Sequence, residues 1–188
     1  MAALTDRPLR ALSAGGVIVY PTDTLLGLGA RAEDPAAVAR LVDLKGRPEG
    51  APISVAVSSF EELERWAVLT PAGRAWARRS LPGPFTLLAR ASPRARRTLA
   101  PEILGPGGTI GLRLPDHPVA RALCRDAGPL TATSANRHGH APCRTVAEAR
   151  RTFGRGVAAY VPATPAPSGR PSTLVDWTGP HPRVVERR

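Results

Sequence analysis

The chain has 188 residues, 43% hydrophobic and 22% charged, with 26 Lys and Arg against 15 acids and a formal net charge of +11. A chain of this size buries a sizeable core without metal or disulfide staples. Cys124 and Cys143 form no C-x-x-C pair, which argues against a zinc ribbon and against a secreted disulfide framework. No apolar run approaches the roughly 20 residues of a membrane span, and residues 1–10 lack an apolar signal-peptide centre, so a soluble cytoplasmic protein is expected.

Residues 17–20, apolar and preceded by Gly15-Gly16, predict a buried strand. Asp34-Pro35 offers an N-cap and a first-turn proline, and Val38, Leu41, Val42 and Leu44 continue with helical spacing to Lys45. Residues 52–57 read as a strand. Ser59 with Glu62 forms a capping-box pattern for a helix toward Trp66, residues 71–80 form a second helix, and residues 85–89 a strand. Residues 109–114 alternate as a strand, 118–127 are helical with Gly128 behind them, and 130–133 form a short strand. Thr145 and Glu148 open another helix that ends at Gly154, and residues 157–161 and 172–177 complete the strands. Between these last two, residues 162–171 are rich in Pro, Ala and Ser and read as an extended or mobile segment. Interleaved strands and helices with some short connections predict a mixed α/β fold.

The net charge by itself suggests a polyanionic partner. Yet 25 of the 26 cations are arginine, and the doublets Arg78-Arg79, Arg96-Arg97, Arg150-Arg151 and Arg187-Arg188 are scattered, which fits solvated helix faces better. The single lysine, Lys45, therefore marks a place where a compact ammonium serves better than a guanidinium. Gly27 to Ala32 spells G-x-G-x-x-A, but Pro21 to Thr24 separate it from the preceding strand, so it reads as a structural turn. Lys45 follows Leu44 and not glycine, which rules out a Walker A loop. His138 and His140 sit in a Gly/Pro-rich loop with no acidic partner nearby, and no G-x-S-x-G elbow is present.

Three polar stretches remain. Pro21-Thr22-Asp23-Thr24 follows a buried strand, where open α/β sheets place ligands; an Asx or ST turn is the structural alternative. Lys45-Gly46-Arg47 ends a helix, and the glycine lets an ammonium and a guanidinium converge on one anion; a cationic helix terminus answering the macrodipole is the alternative. Thr133-Ser134-Ala135-Asn136 offers hydroxyls, an amide and backbone N–H groups suited to phosphate or hydrated magnesium, or a plain polar turn. With Arg113 on a further strand, these make an anion pocket for a phosphate-bearing ligand.

The same residues carry a family resemblance. Gly15-Gly16-Val-Ile-Val-Tyr-Pro21-Thr22-Asp23-Thr24, Gly27-Leu-Gly29, Leu44-Lys45-Gly46-Arg47-Pro48, Leu114-Pro115-Asp116-His117-Pro118, Thr133-Ser134-Ala135-Asn136 and Ser172-Thr173-Leu-Val-Asp176 resemble the YrdC-type threonylcarbamoyl-AMP synthases in order. The resemblance implies one YrdC-like domain over residues 1–188, in the short form, with a twisted mixed sheet, flanking helices and a deep basic cleft. It implies that L-threonine, bicarbonate and ATP give threonylcarbamoyl-AMP and pyrophosphate, with magnesium carried by ATP. The product would feed tRNA adenosine threonylcarbamoylation by a downstream transferase complex. Lys45 and Arg47 would be the catalytic cations and would hold ATP together with Ser134, Asn136, Thr109 and Pro142. Thr24, Arg113, Ala132, Thr133 and Ser172 would hold L-threonine, Arg113 by a fork onto its carboxylate. Ser134 and Asn136 would reach the magnesium through water, with no direct metal ligation by the protein.

Three positions depart from the family pattern: Leu26, Ala56 and the close Val184-Val185-Glu186-Arg187-Arg188. They leave room for a related carbamoyl-adenylate-forming enzyme with another amine acceptor. A non-catalytic reader of tRNA or double-stranded RNA is the other reading of the charge; aromatic residues at 4% count against base stacking. Residues 162–171, just before Ser172, are expected to close over the cleft.

Overall fold

The computed structural model describes residues 2–48 and 50–185, with side chains described from Asp6 onward; the Arg187-Arg188 doublet and Glu186 lie outside the described residues. In chain order the elements are α1 (Ala2–Ser13), β1 (Ile18–Pro21), β2 (Leu26–Gly29), α2 (Pro35–Lys45), β3 (Val55–Ala56), α3 (Phe60–Trp66), β4 (Ala67–Val68), α4 (Pro71–Ser80), β5 (Phe85–Ala91) and α5 (Pro93–Thr98). There follow β6 (Thr109–Arg113), α6 (Pro118–Ala127), β7 (Leu130–Thr131), β8 (Thr133–Ser134), α7 (Val146–Phe153), β9 (Ala159–Tyr160), β10 (Thr173–Asp176) and β11 (Arg183–Val185). Short 3-10 turns occupy Pro101–Ile103 and Gly154–Gly156.

Helix starts are written plainly in the chain. Asp34, Thr70 and Ser92 each precede a proline, and each side chain accepts the backbone N–H three residues on. Ser59 and Thr145 cap α3 and α7 in the same way. Their glutamates reach one residue further back than an ordinary capping box: Glu62 Oε2 accepts from Ser58 N at 2.7 Å, and Glu148 Oε2 from Arg144 N at 2.8 Å.

The strands form two mixed sheets flanked by helices. One runs β8-β2-β1-β9; the other runs β11-β10-β5-β6-β3-β7, with β4 pairing β5. β1 and β9, β5 and β10, and β3 and β6 pair in parallel, and the remaining pairs are antiparallel. β1 is buried on both faces. Val17 and Val19 join the larger core with Leu26, Leu28, Val55 and Leu112, while Ile18 and Tyr20 join a second core with Leu12 of α1 and Leu123 and Cys124 of α6. Helix α1, unanticipated in the sequence, closes that second core.

The structure corrects the reading of Gly27 to Ala32 as a turn: Gly27 and Gly29 are strand residues of β2, paired with Tyr20 and Ile18. A Cβ at Gly29 would stand 2.8 Å from Tyr20 Cε1 and one at Gly27 3.0 Å from it. The glycines make room for the Tyr20 ring, whose hydroxyl donates to Thr131 O at 2.9 Å. Burial pushes this phenol far above its ordinary ionisation range.

Two other expectations are refined. Residues 130–133 are not one strand but two, β7 and β8, in different sheets, because Ala132 N turns aside to donate to Ser54 O at 2.7 Å. The strand expected over 52–57 pairs only at Val55 and Ala56. Around it, Ala51 O and Pro52 O accept from the Arg47 side chain, and Ile53 N donates to Glu102 O.

Candidate active site

Two pockets open where the chain passes between the sheets. The smaller, about 340 Å³, is lined by Thr22, Thr24, Leu25, Leu26, Gly27, Arg113, Ala132, Thr133, Ser134 and Ser172. The larger and more open one, about 1440 Å³, is lined by residues including Lys45, Arg47, Ser54, Ala132, Thr133, Ser134, Asn136 and His138. They share Ala132, Thr133 and Ser134 as a common wall. All five residues expected at an amino acid lie in the smaller pocket. Lys45, Arg47, Ser134 and Asn136 lie together in the larger one.

The smaller pocket begins at the β1–β2 turn. Pro21 ends β1, and Thr22 Oγ1 donates to Leu25 O at 2.7 Å while accepting from the N–H groups of Thr24 and Leu25 at 3.2 Å. This is an ST-type turn, and it seats Thr24 against the pocket. Opposite, Arg113 ends β6 and is 7% exposed. Its Nη2 is committed to Asp23 Oδ1 at 3.0 Å, so the expected two-pronged grip is partly spent inside the protein. Arg113 Nε and Asp23 Oδ2 are buried without hydrogen-bond partners among the described residues. Buried polar atoms left unpaired cost free energy, and with Arg113 lining the pocket this corner is polar and cationic. On the third side Ser172 Oγ lies 2.7 Å from Thr86 Oγ1 of β5. Leu26 supplies the apolar wall, whereas Ala56 is fully buried in the second core and lines neither pocket.

The larger pocket is organised by Lys45, the last residue of α2. Gly46 takes φ 63 and ψ 38, the left-handed conformation that glycine adopts without strain, and this releases Arg47 from the helical direction. Lys45 Nζ donates to Ser134 O at 2.6 Å, to Asn136 Oδ1 at 2.8 Å and to Asn136 O at 3.0 Å. Ser134 Oγ donates to the same Asn136 Oδ1 at 2.6 Å, and Asn136 Nδ2 donates to His140 O and Arg137 O at 2.7 and 2.9 Å. One ammonium thus ties the β8 loop into shape. Burial first, and the neighbouring Arg47 guanidinium second, bring Lys45 down from 10.5 to about 8. Arg47 does not converge with Lys45 on one point. Its Nε and Nη2 donate to Ala51 O and Pro52 O at 2.9 and 2.8 Å, and burial lowers its pKa as well.

Two expected ATP contacts stand apart. Thr109 Oγ1 donates to Pro106 O at 3.2 Å in the turn before β6 and lines neither pocket. Pro142 lines a neighbouring depression with Arg137, His140, Arg144 and Arg151, which meets the larger pocket at Asn136. Ser54 and His138 were not anticipated as lining residues; His138 N donates to Lys45 O at 2.7 Å. Nothing local in the sequence marks Ser54, whose place follows from the bond between its carbonyl and Ala132 N.

Among the described residues no group of three or more His, Cys, Asp or Glu could hold a metal ion. Asn136 Oδ1 already accepts two hydrogen bonds, one from an ammonium, so it does not fit as a cation ligand. Ser134 Oγ keeps lone pairs that suit a metal-bound water. Among the described residues, also, no helix is long and apolar enough to cross a membrane.

The Sua5/YciO/YrdC family model, described as telomere recombination, matches residues 10–188. A threonylcarbamoyl-AMP synthase of Thiobacillus denitrificans is 42% identical over 167 residues, 88% of this chain and 86% of that protein. A putative threonylcarbamoyl-AMP synthase of Mycobacterium tuberculosis is 40% identical over 176 residues, 93% of this chain and 79% of the relative. Among solved structures, P. abyssi Sua5 complexed with L-threonine superposes with a TM-score of 0.83 at 29% identity, covering 94% of this chain and 52% of that one. E. coli YciO gives a TM-score of 0.85 at 25% identity, covering 98% and 89%. The chain therefore spans about half the length of P. abyssi Sua5 and most of the length of the other relatives.

Proposed function

This chain belongs to the Sua5/YciO/YrdC family, and we propose from that premise that it is an L-threonylcarbamoyladenylate synthase, a nucleotidyltransferase-type enzyme that converts L-threonine, bicarbonate and ATP to threonylcarbamoyl-AMP and pyrophosphate. One observation carries the reading: a small polar pocket with a buried arginine shares its wall, Ala132 to Ser134, with a larger pocket organised by Lys45. Two ligands seated in these pockets meet over that wall.

The threonine amine and bicarbonate join as a carbamate with loss of water. A carbamate oxygen then attacks the α-phosphorus of ATP, and pyrophosphate leaves with the electrons of the broken P–O bond. No covalent protein intermediate is needed. The protein contributes placement and charge, which is where catalysis of such transfers resides. In this reading the Arg113 guanidinium meets the threonine carboxylate, Thr24 and Ser172 fix the side-chain end, and Leu26 packs on its methyl group. Lys45 and Arg47 face the carbamate and phosphate oxygens, while Ser134 and Asn136, with backbone groups near Ala132 and Thr133, seat the nucleotide, and Pro142 borders it from the neighbouring depression. Magnesium would enter on the triphosphate and supply charge neutralisation there, with Ser134 Oγ placed to accept from a water of its hydration shell.

The product is a mixed anhydride that water destroys, so an acceptor must take it up promptly; the family resemblance implies that this consumer is a transferase acting on a tRNA adenosine, in the cytoplasm. Mass spectrometry of the nucleotide formed from ATP and bicarbonate, with each amino acid in turn, tests the reading. Threonylcarbamoyl-AMP with threonine-dependent pyrophosphate release is expected. Release with another amino acid and not with threonine would overturn the acceptor. Tight, salt-sensitive RNA binding with no pyrophosphate release would overturn the enzyme.

A further inference from the structure

The Leu114 to Pro118 motif stands out in the sequence, yet its histidine touches neither pocket. His117 occupies the N-cap position of α6 with 1% of its surface exposed, but its side chain makes no capping bond. The residues in the same position elsewhere, Asp34, Ser59, Thr70, Ser92 and Thr145, all cap their own helices. The imidazole is directed elsewhere: Nε2 lies 3.0 Å from Pro165 O, and since a carbonyl only accepts, Nε2–H donates. Nδ1 is buried with no partner among the described residues. A buried ring that forgoes capping and spends its single bond on a loop carbonyl is a fastening for that loop.

The loop is residues 162–171, which carry the chain from β9 in one sheet to β10 in the other. It forms no strand or helix, and most of it is exposed. At its far end Ser168 N donates to Asp23 O at 3.0 Å and Gly169 N to Thr24 O at 2.8 Å. Gly169 has φ +79 and open space around its Cβ position, so glycine serves backbone conformation there and turns the amide toward Thr24. Asp23 holds Arg113, Thr24 lines the smaller pocket, and Ser172 follows the loop directly. The strap is thus sewn to the pocket at one end and to His117 at the other.

We propose that His117 is a positioning residue for the amino-acid pocket: by holding Pro165 it keeps the 162–171 strap closed on Thr24 and Ser172 aligned. The inference rests on the smaller pocket being the threonine site. Holding the strap in its bound course lowers the ordering cost that substrate would otherwise meet, so loss of the fastening weakens threonine and not ATP.

The test uses the full chain. His117→Leu keeps apolar volume without the donor, and His117→Gln returns an amide donor at a similar reach. The expected result for His117→Leu is a threonine KM raised about five- to tenfold, the order of one lost hydrogen bond, with the ATP KM within about twofold. His117→Gln should recover most of the loss. Hydrogen exchange at the Ser168 and Gly169 amides should slow in the wild-type chain when threonine is added and quicken in His117→Leu. Threonine and ATP constants rising together, no change in exchange, or a His117→Gln as impaired as His117→Leu would overturn the proposal. Should His117→Leu fail to fold, the wild-type exchange decides alone: amides indifferent to threonine sink the strap's role. A wild-type chain that binds threonine but makes no threonine-dependent product would instead sink the synthase reading and leave the fastening intact.

Discussion

Lys45 is held charged against its surroundings. Its ammonium is needed to draw Ser134 O, Asn136 O and Asn136 Oδ1 together, yet burial and Arg47 bring it down to about 8. The kcat/KM for ATP should therefore fall on an alkaline limb near that value, read from a pH–rate profile. Destabilisation through this group cannot mimic the limb. Between about 8 and the ordinary 10.5 the unfolded chain binds more protons at this group than the folded one, so its contribution to stability rises with pH across that window. A melting temperature that dropped in step with activity would contradict this. Lys45→Arg should abolish the limb without restoring activity, because a planar fork does not satisfy three acceptors gathered on one point. Lys45→Ala should lower kcat/KM by about 100-fold or more, by analogy with loss of a preorganised donor, with circular dichroism unchanged. The lone lysine in an arginine-rich chain made this residue legible in advance. The family resemblance also puts Ser134 and Asn136, 89 and 91 residues away, at the same site; that the ammonium bonds them directly was not legible, since only folding sets those contacts.

At the scale of elements, signals confined to one helical turn are legible in the sequence. Asp34-Pro35 and the Ser59 and Thr145 caps announce their helices because capping involves residues within one turn. Thr145→Ala should lower stability by about 1 kcal/mol, seen as a shifted urea midpoint at constant m-value. Partners across the sheet were not legible. Gly27 and Gly29 look like turn residues until Tyr20 is placed beside them, and residues 130–133 look like one strand until Ser54 claims the middle amide. Gly29→Ala should cost about 1–3 kcal/mol through overpacking against the Tyr20 ring, checked by the same denaturation assay. Equal stability would mean that the ring moves aside freely. The short arginine-rich α5 escaped notice because six residues carry too little periodicity to stand out.

For the whole molecule, the surplus of positive charge is partly absorbed by packing. The guanidinium of Arg78 lies 4.2 Å from the centre of the Phe60 ring, Arg94 5.3 Å from Trp66 and Arg150 4.5 Å from Tyr160, while Arg74 pairs with Glu64 at 2.9 Å. Arginines so placed favour the reading of solvated helix faces over a dedicated polyanion surface. Raising salt from about 50 to 200 mM should therefore change kcat/KM only a few-fold, against the 10³–10⁵ loss of affinity of a binder making many phosphate contacts. The alternating pattern of the chain made the mixed α/β class legible. The division into two sheets was not, because it depends on where single residues leave one ladder for another. Ala132 alone separates β7 from β8, and side chains along a strand alternate between faces. Inserting or deleting one residue there would swap the outlooks of Thr133 and Ser134 and so rebuild the wall that the two pockets share. The spacing from Thr131 to Asn136 is thus a ruler, and drift in length should be confined to the outer loops.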